Sequence, residues 1–584
     1  MRSQYPIEQD LSSMSHFAST EVWYEAVASL ADRAEDLTNP TAVYVDTAFL
    51  TTLQNKRSQV IFGRRGTGKT HLLRRLQDEL LAHFSELRMV PVYIDGATLG
   101  GSTSLYSDPA AIALSLYVEL LRRTVRELSL FIDGELRPGI LDWLFWGSKR
   151  DQLAQVREAV GRLNRLLEQG KVRMLPMGEA FAEFENLDEA VSNRRLAAGG
   201  NVAASLSDPR TLGVHLEASV EKDLKKTVTR MATRKVGGET YLPFTEITEL
   251  IRRLLATVGD ASLVILIDEW SSLGDAEVQP LLAQLLRLTA RGRICLKLAC
   301  VPGRAKFLLP DATREGRNPI GLELGDDVTV DVDLDSVVFV DNDIKQLAAF
   351  FMSLLQRHIG VTMPGILNST LDTFSKYVLN ERMNGSRVFA ELCHASSVVP
   401  RDFINIFRQA TITQRAMGSD KMTAAHVRSA ARNVYESKRT NLASTRPDEL
   451  NLLDRIYRKV VLGQNSYFFL IEASLAENPG IVELFTAKLV HRTSATWLDP
   501  ASLVSYMYYM IDYGTSIELL RKAGARAWDD LTHGTMGLTS VEFFTPNTNP
   551  SLLDLVLEEL IASFAGARLD AEPEALIVDL EMIE

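Results

Sequence analysis

Gly63-Arg64-Arg65-Gly66-Thr67-Gly68-Lys69-Thr70 is a complete G-x-x-x-x-G-K-[ST] pattern, and its flanks decide how it is read. The preceding Ser58-Gln59-Val60-Ile61-Phe62 is a short apolar strand candidate. In the stretch that follows, His71 to Leu81, helical spacing puts Leu72, Leu73, Leu76 and Leu80 on one face. Strand, glycine-rich turn and helix in that order make a phosphate cradle. The glycines let the backbone curl until successive N–H groups point inward, and the helix N-terminus adds the positive end of its dipole. The expected contacts run from Gly63 through His71. Lys69 is expected to reach the β- and γ-phosphates of ATP, and the Thr70 hydroxyl to ligate Mg²⁺.

A phosphate cradle needs carboxylates for the metal and the attacking water. The sequence offers one strong candidate, Ser262-Leu263-Val264-Ile265-Leu266-Ile267-Asp268-Glu269. A continuous apolar run of this length reads as a strand of a parallel sheet buried on both faces. Asp268 at its end fits a Mg²⁺-holding residue, and Glu269 fits the base that orients water. Taken alone the string also reads as an ordinary strand end; downstream of the loop it reads as functional. Between the two motifs lie a second strand, Met89–Asp95, and a helix from about Pro109 to Leu128. After them come a helix at Val278–Ala290 and a strand at Ile294–Val301.

The whole chain sets the limits. Its 584 residues are enough for several domains, and 46% hydrophobic with 24% charged residues is ordinary for a soluble globular protein. No apolar run approaches the roughly 20 residues of a membrane helix. The N-terminus lacks the basic-then-apolar plan of a signal peptide, so a cytoplasmic protein is expected. Cys295, Cys300 and Cys393 read as reduced buried thiols, and nine scattered histidines show no H-x-x-x-H metal spacing. The net charge of −12 argues against a globally basic nucleic-acid coat but leaves room for a local basic site.

Domain by domain, the expectation is a lead-in at 1–45, then an α/β nucleotide-binding core at 46–130 and 241–340 interrupted by an α+β insertion at 131–240. An all-helical lid at 341–445 follows, and then a winged-helix-like domain at 446–584. The insertion reads as helical around 150–169, mixed around 172–200, strand-like around 200–219 and helical again at 221–235. In that last helix Lys222, Lys225, Lys226, Arg230, Arg234 and Lys235 face only two acidic residues, Glu221 and Asp223. They read either as a solvated face or as contacts to a nucleic-acid backbone. Leu442–Pro447 is the expected linker, followed by a helix at 448–462, a strand at 466–472, a helix at 478–490 and a short hairpin. Tyr506, Tyr508, Tyr509 and Tyr513 read as sheet packing or, less readily, as base-stacking residues. Arg304, after the strand 294–301, is a candidate phosphate sensor or a surface residue. Arg314 and Arg317 are candidate arginine fingers or solvated loop residues. In Pro400-Arg401-Asp402-Phe403-Ile404-Asn405-Ile406, proline starts a helix and leaves Arg401 at its positive end.

Taken in order, GRRGTGKT, ILIDEW, CLKLACVPG and PRDFINI resemble the AAA+ P-loop ATPases of the origin-recognition (ORC/CDC) type, especially their bacterial branch. The chain is also similar to the STAND signalling ATPases, which join the same core, lid and winged helix. The resemblance covers about 45–130 and 241–440 well and 441–584 more loosely. It implies that Arg401 is the second sensor of the γ-phosphate, and it implies ATP and Mg²⁺ as ligands and a homo-oligomer. Two readings of the role stay open. One is a switch acting on double-stranded DNA. The other is a STAND-like switch regulating a protein effector, as in bacterial (anti-phage) defence. The chain departs from the family in lacking a polar first sensor, usually Asn, and in the almost 200 residues between Lys69 and Asp268.

Overall fold

A computed structural model describes residues 40–45, 49–99, 108–136, 146–169, 244–309, 320–335, 344–362, 385–397, 399–419, 422–462, 468–500 and 502–515, with isolated positions at 27, 30, 37 and 39. The expected elements at 172–235, the six cations of 222–235, Arg314, Arg317 and everything beyond 515 lie outside the described residues.

The first unit is a five-stranded parallel sheet. Its strands are β1 (Gln59–Phe62), β2 (Met89–Asp95), β3 (Ser262–Asp268), β4 (Ile294–Cys300) and β5 (Thr329–Asp333), in the spatial order β2-β3-β4-β1-β5. Every residue of β3 and β4 is buried, because helices cover both faces. Side chains alternate along a strand. Leu263, Ile265 and Ile267 therefore enter one apolar cluster, while Val264 and Leu266 enter the other. Helix α1 (Lys69–Ala82) covers the second face with the leucine stripe read from the sequence. The first face is covered by α2 (Pro109–Glu135), α3 (Trp146–Gln169), α4 (Phe244–Ala256) and α5 (Val278–Thr289). Helix α3 was assigned to the insertion, yet its Val156, Leu163 and Leu167 belong to the same cluster as the sheet. At least this part of the insertion is integral to the core.

Leu266 is fully buried in the middle of β3. Leu266→Ala is expected to cost about 2–5 kcal/mol of stability through lost burial and a residual cavity. Leu503, which is 73% exposed, supplies the control: its alanine variant should stay within about 0.5 kcal/mol of wild type. Denaturant unfolding of both variants checks the pair.

Among the described residues, the second unit begins with α6 (Ile344–Thr362), α7 (Gly385–Ala395), α8 (Pro400–Ala416) and α9 (Ala424–Thr445). The expected linker at Leu442–Pro447 is instead helical. Helix α9 runs to Thr445 and α10 (Pro447–Tyr457) starts after a single intervening residue. Only Arg446 leaves helical geometry, at φ −150° and ψ 78°, as a residue before proline is driven to do. The expected helix at 478–490 also needs correction: α11 is Pro479–Thr486. Lys488 turns the chain at φ 59°, and Val490 opens a strand. The expected hairpin is therefore a three-stranded antiparallel sheet of β6 (Phe468–Glu472), β7 (Val490–Leu498) and β8 (Ser505–Ile511), with β8 in the middle. Tyr509 of β8 and Tyr513 beyond it are buried, while Tyr506 packs against Trp497. One apolar cluster joins Phe351, Phe389, Phe403 and Val427 of these helices to Ile456, Phe469, Leu484 and Tyr509. The helices and the small sheet thus share one core.

Candidate functional site

Residues 63–68 leave β1 at its carboxyl end and turn into α1. Gly66 and Gly68 sit at φ 90° and φ 98°, a backbone region that favours glycine. The first turn of α1 consequently opens toward the space above the sheet. Lys69 is almost wholly buried, and its ammonium donates to the Gly63 carbonyl at 2.7 Å and the Arg64 carbonyl at 2.8 Å. Burial lowers its pKa, opposed chiefly by Glu269 and then by Asp268. Lys69 and the two carboxylates at the end of β3 are thus within electrostatic reach of one another, although almost 200 residues of chain separate them.

Asp268 is buried and fixed from two sides. Its Oδ1 accepts the Glu269 N–H at 2.8 Å, and its Oδ2 accepts the Tyr93 hydroxyl at 2.9 Å. Burial, and then the adjacent Asp268 charge, raise the Tyr93 pKa and keep that hydroxyl a donor. The Arg74 guanidinium lies 3.5 Å from the Tyr93 ring centroid. Glu269 itself has φ 50° and ψ 40°. A left-handed glutamate at the end of a buried strand is a sparsely populated conformation held by its surroundings.

The start of α8 closes over the loop. The Arg401 N–H donates to the Gly66 carbonyl at 3.2 Å. A Cβ on Gly66 would lie 2.7 Å from that of Arg401. One cleft is lined by Gly66, Thr67, Gly68, Lys69, Thr70 and His71 of the loop, with Glu269, Pro400 and Arg401. Val43, Tyr44, Val45, Phe350, Leu354 and His358 make its apolar end.

The site residues named from sequence fall into three groups. Gly66 to His71, Glu269 and Arg401 share the cleft; Gly63, Arg64 and Asp268 are buried outside its lining, and Arg65 is exposed. Arg304 is directed elsewhere, its guanidinium donating to Glu483 of α11 at 2.8 Å. The third group lies outside the described residues. Among the described residues, no cluster of three or more His, Cys, Asp or Glu is placed to hold a metal. Thr70 with Asp268 is the donor set available. One hydroxyl and one carboxylate suit Mg²⁺, which ordinarily completes its shell with water and substrate phosphates.

A set of buried charges was not legible in the sequence. Arg64 is 1% exposed. Its Nε pairs with Asp335 Oδ1 at 2.6 Å and its backbone N–H donates to Asp335 Oδ2 at 2.8 Å. Its guanidinium also meets Nδ1 of His491 on β7. His491 Nε2 contacts Asp512 at 3.0 Å, and Lys438 of α9 contacts both Asp512 and Asp402 at 3.0 Å. Lys488 completes the set with Asp402 at 2.6 Å. Burial would raise the Asp402 pKa, but Lys438 and Lys488 outweigh it and hold the carboxyl below its usual range.

Burial, and then the facing Arg64, lower the His491 pKa to about 4; Asp512 opposes the shift and Lys438 adds to it. Unfolded chain takes up this proton near pH 6.5, whereas folded chain resists it until about pH 4. Stability is therefore expected to be full above pH 6.5 and to fall as the pH drops toward 4. Burial lowers the pKa of His358 to about 4 as well, in the same direction. Thermal midpoints measured from pH 7.5 down to 5 should decline through that window, and a flat profile would contradict the assignment.

The ORC-CDC6-like family model matches residues 30–111, a stretch holding β1, the loop, α1 and β2. No curated protein matches the chain. Among solved structures, the chain is similar to the Aeropyrum pernix ORC2 protein in ADPNP-ADP complexes, at 13% identity and a TM-score of 0.31, covering 90% of this chain and 98% of that one. Drosophila ORC bound to DNA gives 12% identity and a TM-score of 0.27, covering 89% and 95%. The Aeropyrum pernix ORC1 protein in complex with DNA gives 11% and 0.26, covering 84% and 96%. Among the described residues, no helix is long and apolar enough to cross a membrane.

Proposed function

We propose that this chain is an ATP-binding and ATP-hydrolysing AAA+ switch of the ORC-CDC6-like kind. The observation that carries the reading is the convergence of Lys69, Thr70, Glu269 and Arg401 on one cleft, with the Arg401 N–H hydrogen-bonded to the loop at Gly66. The family match over the loop and its flanks supports it.

In this reading the N–H groups of 66–70 and the Lys69 ammonium hold phosphate oxygens. Val43, Tyr44, Phe350 and Leu354 enclose the apolar end of the nucleotide. Thr70 and Asp268 would hold Mg²⁺, which when bound neutralises phosphate charge. Tyr93 fixes the carboxylate that does so. Glu269 accepts the proton of the attacking water and orients it. Arg401 responds to the γ-phosphate and carries that response into α8. Because α8 shares a core with the C-terminal sheet, the response moves both together.

The working partner is double-stranded DNA, engaged by a homo-oligomer in the cytoplasm through the C-terminal unit and the cations of 222–235. The test is Mg·ATP binding and hydrolysis by full-length protein, with and without duplex DNA, at rising salt. DNA stimulation that disappears with salt is the expected result, since phosphate contacts weaken steeply as salt rises. Hydrolysis indifferent to DNA would move the ligand to a protein effector, the STAND-like reading with its place in bacterial defence. Failure to bind nucleotide would end both.

A further inference from the structure

Arg64 is the residue on which the loop's own hydrogen bonds converge. Its carbonyl accepts from the Lys69 ammonium at 2.8 Å and from the Thr67 hydroxyl at 2.9 Å, while its N–H is taken by Asp335. Wherever the residue-64 peptide sits, the loop's inner surface follows. Asp335 comes from the same unit as the loop, but the other partner of the side chain does not. His491 lies on β7, 427 positions further along the chain, and is fully buried.

The chemistry of the imidazole is fixed by its two neighbours. A guanidinium has only donors, so Nδ1 facing Arg64 must be the acceptor. A carboxylate has only acceptors, so Nε2 facing Asp512 must carry the proton. His491 is therefore neutral and read in both directions. Around it Arg64, Lys438 and Lys488 balance Asp335, Asp512 and Asp402. The far end of this set, Asp402, is the neighbour in sequence of Arg401, whose N–H already holds Gly66. The loop is thus tied to the start of α8 twice, once directly and once through the small sheet.

We propose that His491 is a positioning residue for the phosphate loop, setting the loop through Arg64 so that nucleotide affinity depends on the docked C-terminal sheet. The inference rests on the ATP-site reading above and adds its regulation. A partner that displaces the sheet loosens the nucleotide. By the reciprocity of linked equilibria, nucleotide holds the sheet in place.

The experiment is a titration of the full-length protein with ADP and with Mg·ATPγS, for wild type, His491→Ala, His491→Gln and His491→Asn. Asparagine puts a carbonyl oxygen where Nδ1 stands and keeps the acceptor for Arg64, whereas glutamine keeps only the donor reach toward Asp512. Loss of one hydrogen bond to a charged group is expected to weaken binding about 10-fold in the alanine and glutamine variants. The asparagine variant should remain within about threefold of wild type. Equal affinity in all four proteins would overturn the proposal, as would an asparagine variant as weak as alanine, which makes the role one of packing. Amide hydrogen exchange over 63–70 in nucleotide-free protein provides an independent readout. Exchange should rise there in His491→Ala and not in β3 or β4; unchanged exchange at 63–70, or a rise throughout the chain, counts against positioning. If wild type binds neither nucleotide the ATP reading fails, and the exchange result still decides whether His491 holds the loop.

Discussion

Lys69→Ala is expected to weaken ATP binding at least 100-fold. The buried ammonium now bonded to the Gly63 and Arg64 carbonyls is the only cation of the loop that sits inside the cleft. Arg64 is committed to Asp335 and His491, and Arg65 is exposed. Removing one partner of a buried, hydrogen-bonded charge pair costs about 3–5 kcal/mol, or roughly two to three and a half orders of magnitude in affinity. Alanine keeps the helix start, since Gly68 rather than Lys69 carries the left-handed turn. Circular dichroism should therefore be unchanged while titration with Mg·ATP loses saturation. A variant that binds within threefold of wild type would remove Lys69 from the site.

Glu269→Gln should separate binding from chemistry. The substitution preserves shape and the unusual φ of 50° but removes the proton acceptor. Hydrolysis is expected to fall by about 10²–10⁴-fold, the usual contribution of a positioned general base, while Mg·ATP affinity stays within a few-fold. Single-turnover measurement of product formation with saturating protein reads the chemical step directly. Hydrolysis at the wild-type rate would transfer the base role elsewhere.

What the sequence made legible follows from which interactions are local. The loop is a contiguous signature, and β3 announced itself because burial on both faces demands an unbroken apolar run, which Leu263 to Ile267 supply. The stripe on α1 repeats with the helix. Arg401 stood out through a family resemblance rather than through its own chemistry, and the structure puts it on the cleft. Two kinds of feature stayed hidden. Val490–Leu498 mixes His, Arg, Thr and Ser with apolar residues, so the start of this strand read as the end of a helix. The partners of Arg64 lie 271 and 427 positions away, and no spacing rule connects a loop arginine to a lone histidine in a distant strand. Tyr93 was missed for the same reason, since its hydroxyl reaches Asp268 only because β2 and β3 are adjacent in the sheet. Arg304, named for its place after β4, instead pairs with Glu483, because the fold brings α11 against that loop.

The central claim is that Lys69, Asp268, Glu269 and Arg401 form one hydrolytic site. Steady-state phosphate release by full-length wild type in Mg·ATP, measured beside Glu269→Gln and Lys69→Ala, tests it most directly. Multiple turnover by the wild type is predicted, with turnover lost in both variants and ATP binding kept only by Glu269→Gln. Phosphate release that is equal in all three proteins, or absent from the wild type while Mg·ATP is bound, would contradict it.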